Sequence, residues 1–180
     1  MGKPKALLKY RGKAFIELIL NAIRESSIES TVVVLGHDHE AIRPRVTLGV
    51  SVYNDDYERG MTTSFQAGIR ALGPESQGAV LFLVDHPVVD PQTIDMLIAR
   101  FRPGRIVLPV HEGRRGHPAL FSRAALDEVL ELPPTEGANM IVRRSPERIT
   151  EVAVSQPGIL VDVDTPEHFE RLSAEDKNRP

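Results

Sequence analysis

The feature that most constrains the fold is a run of six apolar residues, Ala79-Val80-Leu81-Phe82-Leu83-Val84, that stops at Asp85. A continuous apolar run of this length is typical of a strand covered on both faces. The runs 31–36 and 105–110 have the same character, and 50–53 and 151–154 are weaker candidates. Strands of this kind need helices on both sides, so the sequence indicates a layered α/β domain.

Helical patterns lie between these strands, over 14–25, 62–72, 90–101, 122–130 and 165–172. Asp90 is a good N-cap, and Pro91 suits the first helical turn. The alternation of strands and helices predicts a three-layer α/β/α, Rossmann-like fold with a mostly parallel sheet. Ligands in such folds bind beyond the carboxyl ends of the strands. We expect one domain over residues 1–172 and a frayed polar tail over 173–180.

The amino-acid composition limits the classes of function that this chain can have. The chain has 180 residues, no cysteine and a net charge of −3. The lack of cysteine excludes disulfides, thiolate metal sites and cysteine nucleophiles. No basic footprint for nucleic acid is visible, and no apolar run is long enough to span a bilayer. We therefore expect neither a nucleic-acid nor a membrane partner, and a cytoplasmic location.

The first eight residues, Met1-Gly2-Lys3-Pro4-Lys5-Ala6-Leu7-Leu8, form a short basic loop that runs into an apolar segment. Gly2 allows the backbone to pass close to a ligand, and Lys5 can place a point charge on phosphate oxygens. This is the pattern of the second half of a phosphate-binding loop and predicts a nucleotide triphosphate site. The alternative is a solvated basic N-terminus.

Three aspartates are candidate metal ligands. Asp85 follows an apolar strand directly, where a carboxylate is well placed to hold Mg²⁺. Asp162 and Asp164 alternate with valines, so both are expected on one side of a strand, and one of them could complete the site. The alternatives are that Asp85 caps the next turn and that Asp164 caps the helix beginning near Pro166.

Two polar loops complete the set of candidates. In Gly113-Arg114-Arg115-Gly116-His117-Pro118, Arg115 can grip a phosphate bidentately, and His117 can donate to a phosphate or lie on a planar ring. The alternative is an exposed hairpin with solvated arginines. Gly60-Met61-Thr62-Thr63-Ser64 is typical of a helix start whose hydroxyl and N–H groups face outward, toward an anion or a base. A plain helix cap is the alternative.

Five segments together resemble the molybdenum cofactor cytidylyltransferase family, within the larger group of MobA-like nucleotidyltransferases. They span nearly the whole chain in the family's order, and Arg-Gly-His-Pro followed by Leu-Phe points to the cytidylyl branch. The segments are Met1 to Leu8, Gly60 to Ser64, Val84-Asp85-His86-Pro87, Arg115-Gly116-His117-Pro118-Ala119-Leu120-Phe121 and Val161-Asp162-Val163-Asp164-Thr165-Pro166-Glu167.

The resemblance implies a nucleotidyltransferase fold and transfer of CMP from CTP to the terminal phosphate of molybdopterin, with release of pyrophosphate. It implies that Lys5 and Asp85 are catalytic and that Asp85 and Asp164 hold Mg²⁺. It places Gly2, Lys3, Lys5 and Ser64 at the nucleotide, and Arg115, Gly116 and His117 at the acceptor. It also implies a transient contact with a molybdoenzyme or its chaperone. The same fold with another nucleotide or acceptor, and a non-catalytic binding protein, are the alternatives.

The sequence departs from the family pattern at two places. The family has a central strand and a loop of the form Leu-Ala-Ala-Gly-x-Ser-x-Arg before the segment that begins here at Met1. We therefore expect a natural protein longer by roughly 15 residues, given usual strand and loop lengths. Between the strands near Thr31 and Ala79 we expect a sheet position that is either missing or filled by another segment. The family also often has glutamine where this chain has His86.

Overall fold

The computed structural model describes residues 4–177. Its helices alternate with strands as the sequence pattern predicts. The α-helices are α1 (Phe15–Arg24), α2 (His39–Ile42), α3 (Met61–Ala71), α4 (Pro91–Ala99), α5 (Arg123–Leu130), α6 (Asn139–Arg144) and α7 (Pro166–Lys177). The predicted N-cap of α4 is confirmed, because the Asp90 carboxylate accepts from the Thr93 N–H at 3.1 Å.

The strands form three sheets. A small hairpin comprises β1 (Lys9–Tyr10) and β2 (Lys13–Ala14), and a parallel pair comprises β3 (Val32–Leu35) and β4 (Val50–Tyr53). The remaining five strands form the largest sheet. They are β5 (Gly78–Leu81), β6 (Ile106–His111), β7 (Arg114–Arg115), β8 (Ala119–Ser122) and β9 (Ile149–Ala153).

The architecture is the predicted Rossmann-like α/β fold, but the sheet is mixed rather than mostly parallel. β8 lies antiparallel between β5 and β6, and β7 is antiparallel to β6, whereas β9 is parallel to β6. The reason is local: the chain leaves β6, turns back through β7 and returns along the same edge as β8. A reversal through a short loop gives antiparallel pairing, while parallel pairing needs a longer crossover.

β3 and β5 belong to different sheets among the residues described. β3 pairs only with β4, and β5 pairs only with β8, among the residues described. A cavity of about 1030 Å³ lies between the two strands and is lined by both. β5 ends at Leu81, although the apolar run continues to Val84, since β8 offers no partner beyond Ala119.

Two further segments differ from prediction. Helix α7 continues to Lys177, so residues 173–177 are helical where a frayed tail was expected, and residues 178–180 lie outside the described range. Residues 161–164, expected as a strand, have no strand partner, and their Val163 N–H donates to the Asp85 carbonyl at 2.9 Å. Within residues 4–177, no helix is long and apolar enough to cross a membrane.

Candidate active site

The candidate site is centred on Asp85, just beyond the carboxyl end of β5. The Lys5 ammonium lies 2.6 Å from an Asp164 carboxylate oxygen and 3.8 Å from an Asp85 carboxylate oxygen. Both predicted metal ligands therefore contact one cation and face one cleft. Lys5 reaches them from a 3-10 turn over Lys5–Leu7, whose Ala6 is buried against the core of α1 and β3.

The main chain explains how Asp164 comes to Asp85. Val163 is completely buried, and its N–H bond to the Asp85 carbonyl anchors the segment beside β5. In extended backbone, the side chains on either side of a buried residue point away from that residue's side chain. The side chains of Asp162 and Asp164 therefore both point toward the cleft. This anchor explains why the two aspartates lie on the same side of the segment, as predicted.

The structure adds His86 to the candidate metal ligands and places Asp162, one of the three candidate aspartates, beside Asp85. Ligand atoms of Asp85, His86 and Asp162 all lie within 4.8 Å of one another. Asp85 Oδ1 and His86 Nδ1 are buried and have no hydrogen-bond partner among residues 4–177. Unpartnered buried acceptors are costly, and carboxylate oxygens are the ligands that Mg²⁺ prefers, so these residues fit a divalent cation.

The two aspartates of the 161–164 segment have opposite electrostatic environments. Burial and the neighbouring carboxylates of Asp164 and Asp85 raise the pKa of Asp162. The hydrogen bond and charge of Lys5 lower the pKa of Asp164. Lys5 therefore compensates the negative charge of Asp164 more than that of Asp162. A cation bound next to Asp162 would favour its ionised form.

His117 lies next to the carboxylates through its contact with His86. The two imidazole rings have centroids 4.5 Å apart, and His117 Nδ1 is buried with no hydrogen-bond partner in the part of the chain that the structure describes. Burial and the proximity of His86 lower the pKa of His117 to about 4. The His117 ring is therefore neutral at pH 7, so one ring nitrogen can donate a hydrogen bond and the other can accept one.

This burial predicts a pH-dependent stability. Between pH 6.5 and pH 4 the unfolded chain binds a proton at His117 that the folded chain does not, so the free energy of unfolding should fall as the pH is lowered, by at most about 3 kcal/mol. In the His117→Gln variant this dependence should be weaker. Urea unfolding in EDTA at several pH values measures it, with the exposed His37→Gln as the control. Equal pH slopes for His117→Gln and the parent chain would contradict the assignment.

The loop before His117 is tied to the segment that leads to Asp162. The His117 N–H donates to the Ile159 carbonyl at 2.9 Å, and the Gly116 N–H donates to the Pro109 carbonyl at 3.0 Å. A Cβ atom on Gly116 would lie 2.3 Å from the Ile159 carbonyl oxygen. Glycine at 116 thus permits the close approach of two main chains.

Arg115 is separated from this cluster. Its guanidinium forms an ion pair with Glu151 at 2.7 Å, on the exposed side of β9. No hydrogen bond or ion pair joins Arg115 to Asp85, His86 or His117 among the described residues. The sequence grouped Arg115 with His117 because they are two residues apart, but β7 ends at Arg115, and the chain beyond it turns so that the His117 N–H bonds to Ile159 while the Arg115 side chain pairs with Glu151.

The helix start at Gly60 is only partly as predicted. Thr62 and Thr63 are buried, and their hydroxyls donate to main-chain carbonyls, so they do not face outward. Ser64 does line the cavity that ends at Asp85, and its hydroxyl accepts from the Asn54 amide at 3.0 Å. The predicted nucleotide contacts of Gly2 and Lys3 lie outside the described residues.

Comparison with known sequences identifies relatives along nearly the whole chain. The chain is 30% identical over 179 residues to nicotine blue oxidoreductase of Paenarthrobacter nicotinovorans, covering 94% of this chain and 87% of that protein. It is 26% identical over 178 residues to the molybdenum cofactor cytidylyltransferase of Escherichia coli strain K12, covering 94% and 86%.

Solved structures support the same grouping. The crystal structure of Rv0371c from Mycobacterium tuberculosis H37Rv superposes with a TM-score of 0.87 at 28% identity, covering 97% of this chain and 91% of that one. A manganese complex of Rv0371c superposes with a TM-score of 0.81 at 26% identity, covering 95% and 91%. The model of the MobA-like NTP transferase domain matches residues 1–149. The chain belongs to the family of MobA-like NTP transferase domains.

Proposed function

We propose that this chain transfers CMP from CTP to the terminal phosphate of molybdopterin and releases pyrophosphate. The observation that carries the proposal is the convergence of Lys5, Asp85 and Asp164 at the end of β5. A bound triphosphate needs positive charge near its phosphate oxygens and oxygen ligands for its divalent metal. Lys5 would supply the first, and the two carboxylates would supply the second. The similarity to the Escherichia coli cytidylyltransferase supports this choice of substrates.

Asp85 and Asp164 would hold Mg²⁺, with Asp162 and His86 beside them. The bound ion would supply neutralising charge at the α-phosphate and orient the triphosphate. Manganese is an alternative occupant, since a complex with that metal is known for Rv0371c. Lys5 would exchange its carboxylate partners for phosphate oxygens when the nucleotide enters. Gly2 and Lys3 would contact the triphosphate, and Ser64 would lie near the base.

The acceptor side would comprise Gly116 and His117, and Arg115 would join them only if its guanidinium exchanged Glu151 for the acceptor phosphate. An oxygen of the acceptor phosphate forms a new bond to the α-phosphorus of CTP, and the bond from that phosphorus to the bridging oxygen breaks, which releases pyrophosphate. The acceptor oxygen is itself the nucleophile, so the protein needs to supply alignment and charge. The neutral ring of His117 suits a hydrogen bond to the acceptor, and Gly116 holds that ring in place through Ile159.

Pyrophosphate release tests the assignment. The protein is incubated with molybdopterin, Mg²⁺ and one of CTP, GTP or ATP. Release that depends on CTP and molybdopterin together supports the proposal. A preference for GTP or ATP, or for another phosphorylated acceptor, would instead establish a different nucleotidyltransferase. Binding of CTP without turnover would indicate a non-catalytic binding protein.

A second candidate comes from the relative with 30% identity over 94% of the chain, which is an oxidoreductase of nicotine blue. The same cleft would then receive a planar pigment, with the ring pair His86 and His117 as its neighbour. Loss of nicotine blue colour in the presence of a nicotinamide reductant would support this candidate. Colour change without CTP-dependent pyrophosphate release would exclude the cytidylyl proposal.

Replacing His117 with alanine should distinguish the acceptor side from the nucleotide side. We expect the KM for molybdopterin to rise more than the KM for CTP, because the lost ring borders the acceptor. Steady-state kinetics with each substrate varied in turn measures both constants. His37→Ala, at an exposed histidine distant in sequence, is the control. Equal changes in the two KM values would contradict a role on the acceptor side.

A further inference from the structure

Asn54 is a buried polar residue to which the proposed reaction gives no role. It directly follows β4, it is only 7% exposed, and its main-chain N–H donates to the Leu35 carbonyl at 2.9 Å. Its side-chain amide joins the end of β4 to the first turn of α3, where Ser64 lines the cavity that ends at Asp85. A buried amide in contact with a residue of the candidate site can control how that residue meets a ligand.

The main chain fixes the orientation of the Asn54 amide. Asn54 Oδ1 accepts from the Asp56 N–H at 3.1 Å. A main-chain N–H can only donate, so the atom that faces it must be the amide oxygen, and the NH₂ group must face the other way. The NH₂ group donates to Thr63 Oγ1 at 2.9 Å and to Ser64 Oγ at 3.0 Å. Both amide hydrogens are therefore used, and Ser64 Oγ is the acceptor in this contact.

The hydroxyl hydrogen of Ser64 is left for a ligand. A serine in a helix can donate to the carbonyl four residues earlier, which here is that of Gly60. The Gly60 carbonyl already accepts from the Thr63 N–H at 3.1 Å and lies 2.8 Å from the Thr63 hydroxyl. Among residues 4–177, the bond from Asn54 is the one side-chain hydrogen bond of Ser64. The Ser64 hydroxyl is therefore available as a donor on the cavity side.

The surroundings of Ser64 on α3 make this donor selective. The other α3 residues that line the cavity carry no polar side chain: they are Met61, Phe65, Gly68 and Ile69. A ligand that contacts this face of the helix therefore meets one hydrogen-bond donor. A donor left unpaired when a ligand binds costs free energy, so the face favours a ligand with an acceptor at that point and disfavours one with a donor.

We infer that Asn54 is a positioning residue, whose NH₂ group holds Ser64 Oγ as an acceptor and so directs the Ser64 hydroxyl hydrogen to the base of the bound nucleotide. The atom that this hydrogen meets is an acceptor, either a carbonyl oxygen or an unprotonated ring nitrogen. Cytosine carries both kinds. The inference rests on the proposed placement of Ser64 near the base, and it adds that a buried amide outside the site sets the polarity of that contact.

Nucleotide binding by an Asn54→Asp variant tests the inference. The carboxylate keeps the shape of the amide and can still accept from the Asp56 N–H, but it has no hydrogen to donate to Ser64. The Ser64 hydroxyl then donates to residue 54 and is lost to the ligand. Calorimetric titration with Mg²⁺ should give a Kd for CTP about fivefold higher, the scale of one hydrogen bond. The Kd for inorganic tripolyphosphate, which has the phosphates but no base, should change by less than about twofold.

A double-mutant cycle separates positioning from a structural role. Ser64→Ala should raise the Kd for CTP by a similar factor, and adding Asn54→Asp to it should have no further effect. Thr63→Val is the matched control, because it removes the other partner of the Asn54 NH₂ group and leaves the bond to Ser64, so CTP affinity should be unchanged. If Asn54→Asp does not fold, Asn54→Ala takes its place in the cycle, with an expected rise of about threefold.

Several results would overturn the inference. They are an unchanged Kd for CTP, equal losses of affinity for CTP and tripolyphosphate, and effects of the Asn54 and Ser64 substitutions that add in the double variant. A parent chain that binds CTP no more tightly than tripolyphosphate would overturn it as well. Turnover with an acceptor other than molybdopterin, in a chain that meets the binding expectations, would contradict the proposed function and leave this inference standing.

Discussion

Asp85→Asn is expected to lower turnover at least about a hundredfold, the scale observed when one charged or donor group that acts on a developing charge is removed. The amide keeps the shape of the carboxylate but loses its charge, so it binds a divalent cation poorly and no longer attracts Lys5. Asp85 stands at the rim of a cleft and not within packed apolar residues. The melting temperature should therefore change little.

The measurement is kcat for pyrophosphate release at saturating CTP, with circular dichroism melting of the same samples. Asp127→Asn is the matched control, because Asp127 forms an ion pair with Arg123 on the exposed side of α5. An Asp85→Asn variant with turnover within threefold of the parent would exclude Asp85 from the catalytic machinery. A large fall in melting temperature would assign Asp85 a structural role instead.

Gly116→Ala is expected to reduce both stability and activity. The new Cβ would lie 2.3 Å from the carbonyl oxygen of Ile159 and 2.8 Å from its carbon, and main chain cannot yield as a flexible side chain can. The two main-chain segments must separate, which breaks the bond from the His117 N–H to Ile159. We expect a loss of about 2–4 kcal/mol in the free energy of unfolding, measured with urea.

The Gly113→Ala variant, in the same hairpin, is the control for Gly116→Ala. It introduces backbone strain without a close approach to another main chain. Gly113 has φ of +77° and no atom within 4 Å of its would-be Cβ, so alanine there costs only the strain, about 1 kcal/mol. Its effect on turnover should be small. If Gly116→Ala were no more damaging than Gly113→Ala, the contact with Ile159 would have no part in positioning His117.

Strand and helix positions were predictable wherever the pattern was long or bounded by strong signals. Val50–Tyr53 is observed with the predicted bounds, and α4 begins at the predicted cap. β8 was missed as a strand, although Ala119-Leu120-Phe121 was noticed as part of a motif. Four buried residues that run directly into a helix carry no periodicity that separates strand from helix.

The sequence was enough to predict Asp85 at the centre of the candidate site, but not all of the residues around it. A carboxylate after an apolar run marks the end of a strand, which is enough to find Asp85. Which of Asp162 and Asp164 pairs with Lys5 and which lies beside Asp85 and His86 depends on tertiary contacts that no spacing rule reveals. Arg115 was assigned by proximity in sequence, and its partner Glu151 comes from a distant strand.

The bond between His117 and Ile159 also bears on how this fold can vary in evolution. It brings together the two ends of the excursion 118–158, which contains β8, α5, α6 and β9. Insertions or deletions in the exposed connections of that excursion leave its ends joined at the same place. A change in the length of those connections is therefore expected to leave the geometry around Asp85 intact.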